Sequence, residues 1–207
     1  MAERARRAGV ELAGSMAAGL GAYIGLLTKW NRVHNLTALQ LEPLADETID
    51  RLIVEPLIGE VLIVPSASLA VDLGSGGGSP AIPLRIARPT LRFVLVESIA
   101  RKCAFLRQAV RELELTGVDV VNTRFERLSS RLDLVGAADL VTMRAVKADE
   151  ALWRAATAVL GISGRVLWFG GPGSGSQVNL PPGFRVESSR PLPGQGASNV
   201  SSLARAD

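Results

Sequence analysis

The stretch Leu69-Ala70-Val71-Asp72-Leu73-Gly74-Ser75-Gly76-Gly77-Gly78-Ser79-Pro80 joins a short apolar run to a glycine-dense turn. An apolar run of this length, bounded by glycines, is typical of a buried strand. Pro80 and Pro83 then fall in the first turn of a helical pattern, where proline is tolerated. The stretch therefore predicts a strand, a tight loop and a helix start with unpaired backbone N–H groups.

Glycines in such a loop let the backbone turn sharply and approach a ligand closely. Two ligand classes match the spacing. Methyltransferases that use S-adenosylmethionine (SAM) typically show acid-x-Gly-x-Gly-x-Gly, which Asp72, Gly74, Gly76 and Gly78 satisfy. A dinucleotide fingerprint is also met formally by Gly76, Gly78 and Ala81. A purely structural turn is the third interpretation, and we favour SAM.

Strand and helix patterns alternate from this stretch onward. We expect strands at 69–73, 91–96, 118–122, 139–143 and 165–169, with helices at 80–87, 99–115 and 148–160. Such alternation predicts an α/β fold with a mostly parallel central sheet and helices on both faces. Ligands bind at the carboxyl ends of the strands in folds of this kind.

The flanking regions carry other patterns. Apolar spacing predicts helices at 3–33 and 43–63, the second kinked or broken at Pro56. We expect one domain over 1–207, with 1–64 as an N-terminal helical extension and 65–207 as the α/β core. Residues 170–183 are rich in glycine and proline and predict a flexible loop. A terminal strand pair is expected at 184–188 and 199–203.

Composition limits the class of protein. The chain has 207 residues, 47% hydrophobic and 21% charged, which is typical of one globular domain. No apolar run is long enough to span a membrane, and no secretory signal is evident, so we expect a cytoplasmic protein. The lone Cys103 excludes an internal disulfide and is expected to be a buried thiol. No Cys/His metal cluster is present. The net charge of +3 allows nucleic-acid binding without demonstrating it.

Several polar residues stand where strands are expected to end. Glu97 follows the second strand, where a carboxylate can accept hydrogen bonds from a ribose diol. Arg124, Phe125 and Glu126 follow the third, where an adenine ring would lie; Phe125 is nearly as well explained as a core residue. Arg144 ends the fourth strand, where it could contact the donor's carboxylate or an RNA phosphate. His34, the only histidine, is expected to be noncatalytic, and Asn35 and Thr37 to form a loop and cap pair.

Together these residues resemble a known family, the bacterial small-subunit (16S) ribosomal RNA guanine-N(7) methyltransferase G family, also called glucose-inhibited division protein B. The resemblance covers roughly residues 20–170 in the same order. Its motifs are Leu26-Leu27-x-Lys29-Trp30-Asn31 with Asn35-Leu36-Thr37, then 72–84, Glu97-Ser98 with Arg101-Lys102, Phe105-Leu106-Arg107, Arg124-Phe125-Glu126 and Arg144-Ala145-Val146.

The resemblance implies a Rossmann-like methyltransferase fold and SAM-dependent methylation of ring nitrogen 7 of a guanine in small-subunit ribosomal RNA. It implies a donor site formed by Asp72, Gly74, Gly76, Gly78, Ser79, Glu97, Phe125, Glu126 and Arg144. Arg144 is the candidate catalytic residue. Arg32, Asn35, Arg124 and Lys147 are the candidate RNA contacts. We expect a monomer that acts on ribosomal RNA or a ribosomal particle, without a metal or a membrane.

The chain departs from the family pattern at four places. The family tends to have His where this chain has Leu52, Asp-Ser in place of Glu55-Pro56, and Lys-Gly in place of Phe169-Gly170. Its basic ending is replaced here by 198–202. The donor-facing motifs are kept better than the basic positions. Two alternatives therefore stay open, a noncatalytic SAM- or RNA-binding relative and a methyltransferase with a small-molecule acceptor.

Overall fold

The computed structural model describes residues 1–170, 180, 182–194 and 198–206. The first strand, β1, has the predicted bounds, because its mostly apolar run ends at Gly74. The other strands match in position, and several are longer. The strands are β1 (Leu69–Leu73), β2 (Arg92–Glu97), β3 (Val118–Asn122), β4 (Ala138–Arg144), β5 (Leu160–Phe169), β6 (Phe184–Pro191) and β7 (Asn199–Arg205).

The strands form one sheet in the order β3-β2-β1-β4-β5-β7-β6. Pairings among β1 to β5 are parallel, and β7 runs antiparallel to both β5 and β6. β1 lies between β2 and β4, so the chain leaves β1 towards one half of the sheet and returns to it in the other. The carboxyl ends of β1, β2 and β4 thus meet at the switch point where ligands bind in such folds.

Helices cover both faces of the sheet, as predicted. They are α1 (Ala2–Arg7), α2 (Gly14–His34), α3 (Asp46–Ile49), α4 (Glu55–Glu60), α5 (Ala81–Ala87), α6 (Ala100–Glu112) and α7 (Glu150–Val159). One core contains Tyr23 of α2 and Phe105 of α6 with Phe93 of the sheet. The other contains Trp153 of α7 with Val71. Alternate residues of the central strands face opposite cores, so both faces of the sheet are buried at its centre.

The N-terminal helix predicted at 3–33 is wrong as a single helix. Residues 8–13 separate α1 from α2, and Gly9 has φ +76°, a left-handed backbone that ends a helix. Arg4 of α1 instead pairs with Asp46 and Asp50. The apolar spacing that motivated the prediction starts only at Leu20, so it gave no evidence for residues 8–13.

The second predicted helix is shorter than 43–63 and is irregular where a kink was expected. A π-helical turn, Asp50–Val54, joins α3 to α4 just before Pro56. Proline has no N–H to donate to the carbonyl of Leu52, four residues earlier. That carbonyl accepts a hydrogen bond from Ser79 Oγ at 3.1 Å instead. The irregular turn thus connects the N-terminal helices to the glycine-rich loop.

Two further expectations are tested here, and a third is not. Cys103 is buried on α6, as predicted. Most of the loop predicted at 170–183 lies outside the described residues. Within the described part of the chain, no helix is both long enough and apolar enough to cross a membrane.

Candidate functional site at the glycine-rich loop

The glycines of the loop after β1 are required by its backbone. Gly74, Gly76 and Gly78 have φ values of +78°, +51° and +92°, in the region that favours glycine. A Cβ on Gly74 would lie 2.8 Å from Val146, and one on Gly78 would lie 2.5 Å from Ile82. These three positions are the glycines of the acid-x-Gly-x-Gly-x-Gly spacing, whereas Gly77 has no such φ. The backbone conformation therefore requires glycine at all three positions, and the close approach of Val146 and Ile82 requires it again at Gly74 and Gly78.

Glu97 fixes this loop to the end of β2. Its carboxylate accepts hydrogen bonds from the backbone N–H of Gly76 at 2.9 Å and of Ile99 at 2.8 Å. The backbone N–H groups of Gly74 and Ser75 both donate to the carbonyl of Val96. Glu97 is buried, so it is not a solvated carboxylate at the end of a strand. It retains further lone pairs that can accept from a ligand hydroxyl.

Asp72 lies within β1, beneath the loop, and is almost fully buried. Its Oδ1 accepts a hydrogen bond from Thr142 Oγ1 at 2.5 Å, whereas Oδ2 has no partner among the described residues. Burial raises the pKa of this carboxyl to about 6, although the hydrogen bonds from Thr142 and Ser75 oppose the shift. An incompletely satisfied buried carboxylate is costly, and such groups cluster at functional sites.

Two cavities meet at Gly74. The first, here called the strand-end pocket, has a volume of about 130 Å³ and is lined by Gly74, Val96, Glu97, Ser98, Thr123, Arg124, Phe125 and Glu126. Phe125 is half-buried and begins a 3₁₀ segment, Phe125–Ser130, directly after β3. Arg124 and Glu126 are exposed beside it. The structure thus brings together the three residues predicted near an adenine and the acid predicted near a ribose.

The second, here called the glycine-loop cavity, has a volume of about 380 Å³. It lies on the other side of the loop and is closed by residues of the N-terminal helices and of the segment after α2. Its lining residues are Leu27, Leu36, Thr37, Ala38, Leu39, Arg51, Leu52, Gly74, Ser75, Gly76, Gly77, Ser79, Lys102, Arg144 and Ala145. Both cavities have apolar walls with a few convergent polar groups, as small-molecule sites do.

Arg144 lies on the wall of the glycine-loop cavity and is buried. It forms an ion pair with Glu55 of α4, and its Nη1 donates to Ser79 Oγ at 3.3 Å. The guanidinium carbon lies 5.4 Å from the centre of the Phe169 ring, within the range of a cation–π contact. Burial lowers the pKa of Arg144 to about 10, although Glu55 opposes the shift. Arg144 is therefore a buried, salt-bridged arginine and not a surface one.

The candidate RNA contacts are not brought together in the same way. Arg32 forms an exposed ion pair with Glu42. Asn35 ends α2 in a left-handed conformation, with φ 46°, as its cap. Lys147 is exposed and lies 3.9 Å from Asp149. Of the four, only Arg124 lines either cavity at the loop.

The loop and cap pair predicted at Asn35 and Thr37 is partly confirmed. The prediction did not include Asn31, which also takes part in this turn. Asn35 caps α2, and Thr37 Oγ1 accepts from the N–H of Leu39 at 3.1 Å. The N–H of Thr37, however, donates to Asn31 Oδ1 at 2.9 Å. This turn presents Leu36 and Thr37 to the glycine-loop cavity.

Sequence reasoning missed three supports of the site. Tyr23 Oη donates to the carbonyl of Gly77 at 2.7 Å, Glu55 pairs with Arg144, and Thr142 binds Asp72. Tyr23 belongs to the apolar spacing that predicts the first helix, and that spacing does not reveal the role of its hydroxyl. The signal available was a hydroxyl on an otherwise apolar face, since a buried tyrosine hydroxyl needs a partner. Glu55, next to a proline inside a helical pattern, gave a similar signal.

Other candidate sites are weaker. Among residues 1–170, 180, 182–194 and 198–206, no group of three or more His, Cys, Asp or Glu side chains could hold a metal ion. His34 packs against Trp30 in a tilted arrangement, with ring centres 4.9 Å apart, and lines neither cavity at the loop. Another cavity, of about 930 Å³, lies between the 3₁₀ segment, α7 and Phe184, away from the glycine-rich loop.

The fold and the site define a class. A ribosomal protein L11 methylase from Lactobacillus delbrueckii subsp. bulgaricus has a solved structure similar to this chain, with a TM-score of 0.54 and 14% identity. The similarity covers 74% of this chain and 78% of that one. The chain therefore has the Rossmann-like α/β fold of a methyltransferase, with its glycine-rich loop at the switch point of the sheet.

The family follows from the sequence comparisons. The family model described as rRNA small subunit methyltransferase G matches residues 16–179, and the chain belongs to this family. Ribosomal RNA small subunit methyltransferase G of Ralstonia nicotianae is 38% identical over 189 residues, covering 89% of this chain and 83% of the relative. The protein of the same name from Nitrosospira multiformis is 46% identical over 125 residues, covering 59% of this chain and 54% of that relative.

Proposed function

We propose that this protein transfers a methyl group from SAM to ring nitrogen 7 of a guanine in small-subunit ribosomal RNA. The observation that carries the proposal is the meeting of two cavities at Gly74, one suited to the donor's adenosine and one open to its methyl end. Family membership and the names of the relatives support the substrate. The specific nitrogen rests on the resemblance of the motifs.

The residues present fit the donor. The strand-end pocket offers Phe125 as an apolar surface for adenine and Glu97 as an acceptor for ribose hydroxyls, with Glu126 at its rim. Gly74 and Gly76 line the cavities, so a ligand there meets backbone rather than side chains, whereas Gly78 keeps the turn in its shape. Ser79 and Arg144 would meet the methionine end across the loop.

Asp72 would act on the donor indirectly. It is buried beneath the loop and lines neither cavity, so it supports the loop rather than touching a ligand. Its link to Thr142 joins β1 to β4 at the edge of the sheet where the two cavities meet.

The reaction needs positioning more than proton transfer. SAM, when bound, supplies a methyl group on a cationic sulfur, which leaves as a neutral thioether. Nitrogen 7 of guanine has a free lone pair, so no base must deprotonate it first. The lone pair forms the new N–C bond while the C–S bond breaks, and the positive charge moves to the base. The loop, Arg144 and Leu36 would hold the reactants in line and exclude water.

The candidate RNA contacts remain part of the proposal. Arg124 borders the strand-end pocket, and Arg32, Asn35 and Lys147 would contact RNA outside the two cavities. To bind a phosphate, Arg32 would have to break its ion pair with Glu42. Lys147 would have to break only its 3.9 Å contact with Asp149. We propose that the protein acts in the cytoplasm, since its proposed substrate is ribosomal RNA. We also propose that it is a monomer and forms one domain over 1–207, in which α2 shares a core with the sheet.

Phe169 is the observation that favours a noncatalytic relative as the second candidate. It stands where the family usually has lysine, and its ring packs against Gly59 and beneath Arg144. The site therefore lacks one cation that the resemblance would lead us to expect. A noncatalytic relative would bind SAM or RNA without turnover, and an enzyme with a small-molecule acceptor would ignore RNA.

Methyl transfer separates these candidates. Purified protein is mixed with radiolabelled SAM and small ribosomal subunits that lack the modification, and label in the RNA is counted. We expect incorporation approaching one methyl group per subunit, and at least a tenfold loss with Arg144→Ala. Arg131→Ala is the control, because Arg131 is exposed and paired only with Asp133. SAM binding without incorporation would overturn the proposal.

A further inference from the structure

The outward face of α6 carries three exposed arginines. Arg101, Arg107 and Arg111 project from the side of the helix opposite its buried residues, Cys103, Phe105, Leu106 and Ala109. We call these three side chains the α6 arginine face. At 1.5 Å per residue, Arg101 and Arg111 are about 15 Å apart along the helix axis.

This face differs from most of the protein's other arginines in its pairing. Arg4, Arg32, Arg88, Arg131 and Arg165 each form an ion pair with a carboxylate. Within the described part of the chain, no carboxylate lies within 4.0 Å of the guanidinium groups of the α6 arginine face. Glu112 is the exposed acid on the same helix, and it accepts a hydrogen bond from Gln108.

The arginine face begins at the candidate site. The N–H of Ile99, just before α6, donates to Glu97, and Lys102 in the first turn lines the glycine-loop cavity. Asn122 at the end of β3 donates to the carbonyl of Ser98, which keeps Arg124 near the start of the helix. Cationic side chains therefore extend from the rims of both cavities outward along α6.

We propose that RNA flanking the target guanine docks along the α6 arginine face, its phosphates against Arg101, Arg107 and Arg111. The inference rests on the proposed function, since it needs a nucleic acid whose target base enters beside Lys102. A guanidinium matches the geometry of phosphate oxygens, and no carboxylate has to be displaced from these exposed guanidiniums when they bind. Arg107 would give up only a 3.4 Å hydrogen bond to the carbonyl of Val120. The face sets affinity for RNA and takes no part in the methyl transfer itself.

The test compares two triple variants of equal charge. The test variant carries Arg101→Ala, Arg107→Ala and Arg111→Ala. The control carries Arg154→Ala, Arg185→Ala and Arg190→Ala, which are exposed positions on α7 and β6. α7 packs on the opposite face of the sheet, and β6 is the edge strand farthest from β3. A third variant replaces the three α6 arginines by lysine, which keeps the charge.

Affinity for small subunits is measured as a function of salt concentration, and transfer kinetics with labelled SAM are measured beside it. We expect the alanine variant to bind roughly tenfold more weakly and its log–log salt slope to fall by about 2, at about 0.7 per lost phosphate contact. KM for subunits should rise while kcat stays within about twofold. The lysine variant should recover most of the affinity.

Equal affinities and salt slopes for the test and control variants would overturn the inference. Affinity for SAM, measured by calorimetry, should be the same in all variants and shows that each is folded. If neither the wild type nor any variant transfers methyl groups, the proposed function fails. The salt dependence of binding would still decide whether the face contacts RNA.

Discussion

At the scale of single residues, Asp72 links the site to pH. Its pKa is about 6 in the folded chain against an ordinary 3.8, because burial disfavours the charged form. The folded protein therefore binds this proton more tightly than the unfolded chain does. The stabilisation is fully present below about pH 4 and is lost as the pH rises through about 6.

Asp72→Asn tests this assignment. Asparagine cannot titrate, so the variant should lack the loss of stability that wild type shows between about pH 4 and 6. A shift of about two pKa units corresponds to at most about 3 kcal/mol in the free energy of unfolding. Urea unfolding of both proteins at several pH values between 4 and 7 gives the difference. Parallel curves would contradict the raised pKa.

Gly78 is the glycine at which a side chain would be most disruptive. A Cβ there would lie 2.5 Å from Ile82 on a backbone with φ +92°. We expect Gly78→Ala to cost about 2 kcal/mol or more and to weaken SAM binding at least tenfold, since both the φ penalty and the clash act on the loop. Calorimetry with SAM and thermal unfolding measure the two effects.

The matched control is Gly25→Ala. Gly25 lies within α2, and a Cβ there would meet nothing within 4 Å. Alanine at an open helical position stabilises by about 0.5–1 kcal/mol. An unchanged SAM affinity in Gly78→Ala would mean that the loop does not hold the donor.

At the scale of elements, α4 is held to the carboxyl end of β4 by Glu55 and Arg144. Both side chains are almost fully buried, and burial raises the pKa of Glu55 while it lowers that of Arg144. Removing one member of such a pair leaves a buried charge without compensation. The pair thus couples the N-terminal helices to the glycine-loop cavity.

Glu55→Gln should therefore be strongly destabilising, by about 3 kcal/mol, and should raise KM for SAM by releasing Arg144. Glu60→Gln on the same helix is the control, because its pair with Arg88 is partly exposed and should contribute about 1 kcal/mol or less. Chemical unfolding and steady-state kinetics measure both variants. Equal effects of the two substitutions would show that Glu55 does not position Arg144.

The elements that sequence predicted well are those defined by local patterns. The bounds of β1 and β3 were predicted to the residue, and the alternation of strands and helices predicted the parallel sheet. What could not be predicted depends on distant pairs. Tyr23 and Gly77 are 54 residues apart, and Glu55 and Arg144 are 89 apart. No local pattern carries such contacts, so the supports of the site appeared only in the structure.

At the scale of the whole molecule, α2 and the sheet share one core. Tyr23 and Leu27 of α2 belong to the same apolar cluster as Phe93 and Phe105. We therefore predict that the N-terminal extension and the α/β core unfold as one cooperative unit. In a Trp153→Phe, Trp168→Phe variant, fluorescence reports on Trp30 alone; in Trp30→Phe it reports on the two sheet-side tryptophans. The two variants should give the same urea midpoint once each midpoint is corrected for the variant's stability, which is measured by far-UV circular dichroism. A lower midpoint for Trp30 would show a separately folding extension.

The central claim joins the donor site at the glycine-rich loop to one base of ribosomal RNA. The most direct measurement is mass-spectrometric mapping of nuclease fragments from small-subunit RNA after reaction with the protein and SAM. The account predicts one new methylated nucleoside, N7-methylguanosine, in a single fragment, with none formed by Arg144→Ala. Methylation of another nucleoside, or of many fragments, would contradict the account.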